Sequence, residues 1–130
     1  MKKKITNAEV ETYVATLSAP DSFVKTMKMP HAARQAIRVN LKTLTDRLRL
    51  YQEGRKEILD QAVKDGHAKE VGGGQYAIEA GHPEVGQELQ ELSAVGNELD
   101  IEVFDVSALL DNDLTLAEED VILFFRKEAE

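Results

Sequence analysis

No cysteine occurs among the 130 residues. That excludes a disulfide framework and any thiolate metal or redox site, and it fits a reducing compartment. No apolar run reaches the ~18 residues that a membrane-spanning helix needs, so neither such a helix nor a membrane partner is expected. Met1-Lys2-Lys3-Lys4 is basic, but no apolar stretch follows it, so it does not read as a secretory signal. Aromatic residues make up only 5% and are not interleaved with basic ones, which argues against a stacking platform for RNA. No phosphate-binding glycine motif and no G-x-S-x-G setting around a serine is present. Carboxylates are abundant, but none falls in a recognisable pocket motif.

What is present points to architecture. An apolar content of 42% with 31% charged residues describes a helix-rich folded chain of one domain, residues 1–130. The net charge of −8 is unevenly spread. Residues 1–24 are neutral overall, residues 25–56 carry nine Lys/Arg against two acids, and residues 57–130 carry four against nineteen. The two halves are expected to complement each other within the fold or across a dimer. Acidic neighbours cancel most of the field of a basic stripe, so a nucleic-acid partner is not favoured.

Thr6-Asn7-Ala8-Glu9 reads as a capping box opening a first helix, with Val10, Tyr13, Val14 and Leu17 on one face. Pro30 then opens a long helix, about 30–64, without internal proline. Ile37, Leu44, Tyr51 and Ile58 take one heptad seam position, and Leu41, Leu48 and Ala62 the other. On its opposite face Lys42, Arg49 and Lys56 each precede an acid by four residues, which reads as a solvated outer stripe. Gly72-Gly73-Gly74-Gln75-Tyr76 marks a tip, a loop or β-hairpin within residues 65–82. Pro83 opens a second helix, about 83–98.

Folding the two helices antiparallel about the tip sets Ala62 against Val85, Ile58 against Leu89, Arg55 against Leu92, Tyr51 against Gly96 and Leu48 against Leu99. The second arm is shorter. Ile37, Leu41 and Leu44 therefore need cover from the first helix, the C-terminal elements or a second protomer. Leu99 to Val106 reads as a strand pairing with Lys3–Ile5, and Thr115-Leu116-Ala117-Glu118 as a second capping box. The Val121-Ile122-Leu123-Phe124-Phe125 run that follows is core or a protomer interface. The expected fold class is thus α+β, mostly α: an antiparallel helical hairpin with a β/glycine tip, and a small sheet and short helices at its base.

His31, His67 and His82 lack the spacing of a local metal pair. His67 and His82 flank the tip, where Asp65 or Glu84 could complete a site, but surface-loop histidines are the favoured reading, and no metal, cofactor or catalytic residue is assigned. Gly73-Gly74-Gln75 matches the tripeptide that peptide release factors use for ester hydrolysis. Its acidic surroundings favour a plain glycine turn.

Five segments carry a resemblance: Lys4-Ile5-Thr6-Asn7-Ala8-Glu9-Val10, Glu53-Gly54-Arg55-Lys56-Glu57, Tyr76-Ala77-Ile78-Glu79, Glu88-Leu89-Gln90-Glu91-Leu92 and Leu99-Asp100-Ile101-Glu102. In this order the chain resembles a family of small tailed-phage and prophage proteins described as a domain of unknown function. The resemblance implies a phage or prophage origin, with the protein in the cytoplasm of an infected or lysogenic bacterium or on the virion. It supplies no activity and no catalytic residues. The expectation is a non-enzymatic interaction or assembly protein that self-associates or binds a phage or host protein. Ile37, Leu41, Leu44, Phe124, Phe125, Gly73, Gly74 and Tyr76 are its candidate contact residues. Two alternatives stand beside it: a small acidic inhibitor of a host protein, and a ligand-binding or hydrolytic protein acting at the glycine tip.

Overall fold

The computed structural model describes residues 1–127; the last three residues of the expected domain lie outside the described residues. Its order is β1 (Lys2–Thr6), α1 (Asn7–Ser18), α2 (Phe23–Thr26), α3 (His31–Lys64), β2 (Ala68–Gly72), β3 (Gln75–Ile78), α4 (Pro83–Ser93), β4 (Gly96–Asp100), α5 (Ser107–Leu110) and α6 (Leu116–Phe124). The fold is mixed α and β, dominated by helix, with two small antiparallel sheets, β1–β4 and β2–β3. Among the described residues no helix is long and apolar enough to cross a membrane.

Both capping boxes form. The Thr6 hydroxyl accepts from the Glu9 amide at 3.2 Å, and the Glu9 carboxylate accepts from the Thr6 amide at 3.1 Å. Thr115 and Glu118 repeat the arrangement at the start of α6. Each box satisfies amides that have no partner inside the helix. α3 starts directly after Pro30 and runs 34 residues, about 50 Å at 1.5 Å per residue. On its outer face Lys42 meets Asp46 at 3.4 Å and Lys56 meets Asp60 at 2.8 Å. Arg49 departs from the expected spacing and turns back toward Asp46 at 4.0 Å.

The main core lies at the base. Ile5, Val10, Leu17, Phe23, Ile37, Leu44, Leu99, Ile101, Val106, Leu109, Val121, Ile122 and Phe125 form one buried cluster, with Leu41, Leu48 and Phe124 packed against it. So α1, β4 and the C-terminal elements cover the half of α3 that the second arm cannot reach. Ile37, Leu44 and Phe125 are 1%, 0% and 0% exposed. This corrects the reading of Ile37, Leu44 and Phe125 as contact residues, because their apolar surface is already spent inside the chain. Leu41 and Phe124 stay half-buried on the rim of that core.

Two asparagines tie the base together. The Asn40 side chain, 0% exposed, donates to the Glu102 carbonyl at 2.9 Å and accepts from the Glu102 amide at 2.7 Å. Its amide thus stands in for a strand edge opposite an extended segment that has left the sheet. Asn7 donates to the Leu92 carbonyl at 2.8 Å, and its backbone amide bonds Val95 O at 3.0 Å, joining the start of α1 to the end of α4. Lys3 donates from Nζ to the carbonyl of Phe124 at 2.6 Å, placing a cation at the C-terminus of α6.

The second helix ends at Ser93, not near residue 98, and the strand begins at Gly96, not Leu99. The backbone of residues 96–100 pairs with β1, Lys2 opposite Asp100 and Thr6 opposite Gly96, and that pairing wins over another helical turn. The expected helical seam therefore does not continue past Ser93. Ala62 and Val85 share a small distal cluster with Ile58, Leu59 and Leu89. Leu92, however, lies against Gly54, where an added Cβ would sit 3.2 Å from Leu92 Cδ2. Gly96 and Leu99 belong to β4, and an added Cβ at Gly96 meets nothing within 4 Å, so Tyr51 does not pack there. Instead the Arg55 guanidinium stands 5.7 Å from the centroid of the Tyr51 ring.

Candidate functional site

The chemistry-bearing side chains gather where α3 ends and α4 begins. At the end of α3 the Gly66 amide bonds Val63 O at 3.1 Å and the His67 amide bonds Ala62 O at 2.8 Å. This is the paired closure of a Schellman motif. Gly66, at φ +77°, supplies the left-handed residue the motif requires. The chain leaves as β2 and reverses through Gly73 and Gly74, both with positive φ (+60° and +74°), as a two-residue type I′ hairpin demands. It returns as β3.

Tyr76 on β3 fastens this hairpin to α3. Its hydroxyl donates to Asp60 Oδ1 at 2.8 Å, while Lys56 Nζ donates to Asp60 Oδ2 at 2.8 Å. The bond from Lys56, and then that from Tyr76, hold the Asp60 carboxyl below the usual carboxylate range. The bond to Asp60 in turn raises the Tyr76 phenol, because losing its proton would break the bond.

Between α3 and the hairpin run two adjoining depressions of about 350 and 360 Å³. They share Arg55, Leu59, Gly74 and Tyr76. Gln52 and Lys56 extend one end, and Ile78 and Leu89 the other. The result is an open groove, apolar along Leu59, Ile78 and Leu89 and cationic at Arg55 and Lys56. Arg55 also reaches Glu11 on α1 at 3.4 Å.

On the α4 side the two flanking histidines come together. His67 and His82 stack with ring centroids 3.8 Å apart and planes 13° from parallel. Glu84 Oε1 lies 3.0 Å from His82 Nδ1 and 3.6 Å from His67 Nδ1. Both histidines lie in loop segments and are part-exposed, and the two helix ends bring them into contact. A cavity of about 140 Å³ beside them is lined by Asp65, Gln61 and Glu88 and floored by Ala62 and Val85.

Of the residues singled out in the sequence, Gly74 and Tyr76 line the groove, and Gly73 forms the turn above it. Gln75 begins β3 and is exposed. Leu59 and Arg55 were missed as site residues. Leu59 lies off the heptad seam, and Arg55 is a charged residue at the seam position between Leu48 and Ala62. Comparison with family models, curated proteins and solved structures finds no match to this chain.

Proposed function

We propose that the protein is a non-enzymatic interaction module of a phage or prophage, acting in assembly or as a tail-associated accessory. In this reading the base is the scaffold. The distal half of α3 and α4 form an antiparallel helical hairpin whose β/glycine tip presents the binding surface. One observation carries it. The groove is open and preorganised, its hairpin wall fixed by the Tyr76–Asp60–Lys56 bonds, and its lining is mostly apolar with Arg55 at its middle and Lys56 toward one end.

The occupant that fits is an extended segment of a protein partner that offers an aliphatic or aromatic side chain to Leu59, Ile78 and Leu89. A carboxylate would face Arg55 and Lys56. A second copy of this chain is one possible source of that segment. Self-association no longer follows from the Ile37–Leu44 face, which the chain covers itself. The module would work in the cytoplasm of the infected or lysogenic bacterium, or on the virion.

The acidic-inhibitor alternative needs carboxylates free to mimic nucleic acid. Glu98 and Asp100 are exposed on β4, but Lys4 and Lys2 stand opposite them in the sheet, and Lys2 approaches Asp100 to 3.6 Å. That pairing removes much of the required field.

A photo-crosslinking residue at position 75, on the groove rim, tests the proposal in phage-producing cells against the same residue at position 116, which is exposed and on α6. The expected result is an adduct with one defined protein from position 75 only, lost in Leu59→Glu. Equal labelling from both positions, or labelling that survives Leu59→Glu, overturns it.

A further inference from the structure

We propose that His67, His82 and Glu84 form a site for a divalent transition metal of the zinc type, clasping the end of α3 to the start of α4. It does not depend on the groove's partner. Two imidazole nitrogens and a carboxylate oxygen are the donors such an ion takes, at 2.0–2.2 Å each. In this structure the donor atoms of all three residues lie within 4.8 Å of one another. Donors around a tetrahedral ion stand about 3.4 Å apart, as bonds of that length imply. Both Nδ1 atoms already face the same Glu84 oxygen, at 3.0 and 3.6 Å. Glu84 is exposed and on a flexible stem, and the two rings, stacked 13° from parallel, splay apart on binding to aim both Nδ1 lone pairs at one point.

The backbone around the three is fixed. His67 is held by the Schellman closure, and its carbonyl accepts from the Glu79 amide at 2.8 Å. His82 is the cap residue of α4, followed by Pro83, with Glu84 in the first turn. Asp65 and Glu88 line the adjoining cavity and supply the field a cation needs. Water can take the fourth position. The chain has three histidines, and two of them meet here, fifteen residues apart in sequence.

The test uses untagged full-length protein, stripped with chelator and titrated with Zn²⁺ alone by calorimetry, then with Co²⁺ by absorbance. The expected result is saturable one-to-one binding, the visible absorption of four-coordinate Co²⁺, and a rise in melting temperature with Zn²⁺. His67→Ala and His82→Ala each weaken binding about 100-fold or more, beyond the 10–100-fold that loss of an outer partner costs. Glu84→Gln weakens it less, and His31→Ala leaves it unchanged. Circular dichroism of each apo variant shows whether the fold persists, and Glu84→Gln supplies a readout that spares both rings. No saturable binding, or binding that survives the paired histidine substitutions, overturns the site.

Discussion

Asn40 occupies a core position of a long helix, where an apolar residue would ordinarily sit, and is fully buried. It is there because the main chain of Glu102 has no strand partner and takes the side-chain amide instead. Asn40→Leu removes both bonds and leaves a carbonyl and an amide of Glu102 without partners. The expected cost is about 2–3 kcal/mol by urea unfolding; a loss below half of that would show that water reaches Glu102. Nothing in the sequence marks Asn40, since its partner is backbone sixty-two residues away. Glu118 is half legible. Its capping role follows from Thr115-Leu116-Ala117-Glu118, but the bond it accepts from the Phe23 amide at 2.9 Å does not. The Thr115 amide first, and then the Phe23 amide against the opposing effect of burial, hold its carboxyl below the ordinary range. A depressed folded-state pKa contributes stability that is present above the unfolded value and is lost as pH falls through the folded one. Glu118→Gln is therefore expected to cost about 1 kcal/mol at neutral pH, as lost caps do. The gap from wild type should narrow as pH drops below about 4. Chemical denaturation at pH 7 and pH 3 checks the sign, and an equal gap at both would refute the linkage.

At the scale of elements, α4 shows how two periods compete for one stretch of chain. Val85, Leu89, Leu92, Gly96 and Leu99 fit a helical spacing, whereas Leu99 and Ile101 buried with Glu98, Asp100 and Glu102 exposed fit a strand. The helical reading fails past Ser93 because β1 offers unpaired backbone, and a sheet must be completed by some segment. That requirement is long-range, so the local pattern could show that a strand lay near Leu99 but not where it took over. The capping boxes and Pro30 were legible because each is settled by chemistry within four residues. Glycines inside helices separate propensity from packing. Gly86 lies within α4 and an added Cβ meets nothing within 4 Å. Gly86→Ala should thus stabilise by about 0.8 kcal/mol, the helix-propensity difference. Gly54→Ala gains the same propensity but crowds Leu92 at 3.2 Å, so its gain should be smaller. Thermal melts of the two variants rank them, and a larger gain at Gly54 would contradict the packing described.

Across the whole molecule, stability is distributed unevenly along a single helix. Among the described residues the base holds thirteen buried apolar residues in one cluster, whereas the distal cluster has three, Ala62, Ala68 and Val85, with Ile58, Leu59 and Leu89 partly buried against them. Two of those three are alanines, which bury little area, and hydrophobic stabilisation scales with area at roughly 25 cal/mol per Å². The hairpin above them adds the Tyr76–Asp60 bond and exposed strands whose backbone bonds face water. The arm should therefore open in a partial unfolding step that leaves the base intact, as weakly packed units do. Hydrogen exchange should show the amides of β2, β3 and the first turns of α4 exchanging well ahead of those in α1 and in α3 around Ile37–Leu44. Substitutions should divide the same way. Leu44→Ala, at a fully buried position of the base, should lower global stability by about 2–5 kcal/mol. Val85→Ala should speed exchange in the arm while leaving protection around Leu44 nearly unchanged. Uniform exchange across arm and base, or loss of protection at Leu44 in Val85→Ala, would mean that α3 couples the two clusters into one cooperative unit. Zn²⁺ held by His67, His82 and Glu84 would act on this step alone. It should slow exchange in β2, β3 and the start of α4 and leave the base as it was.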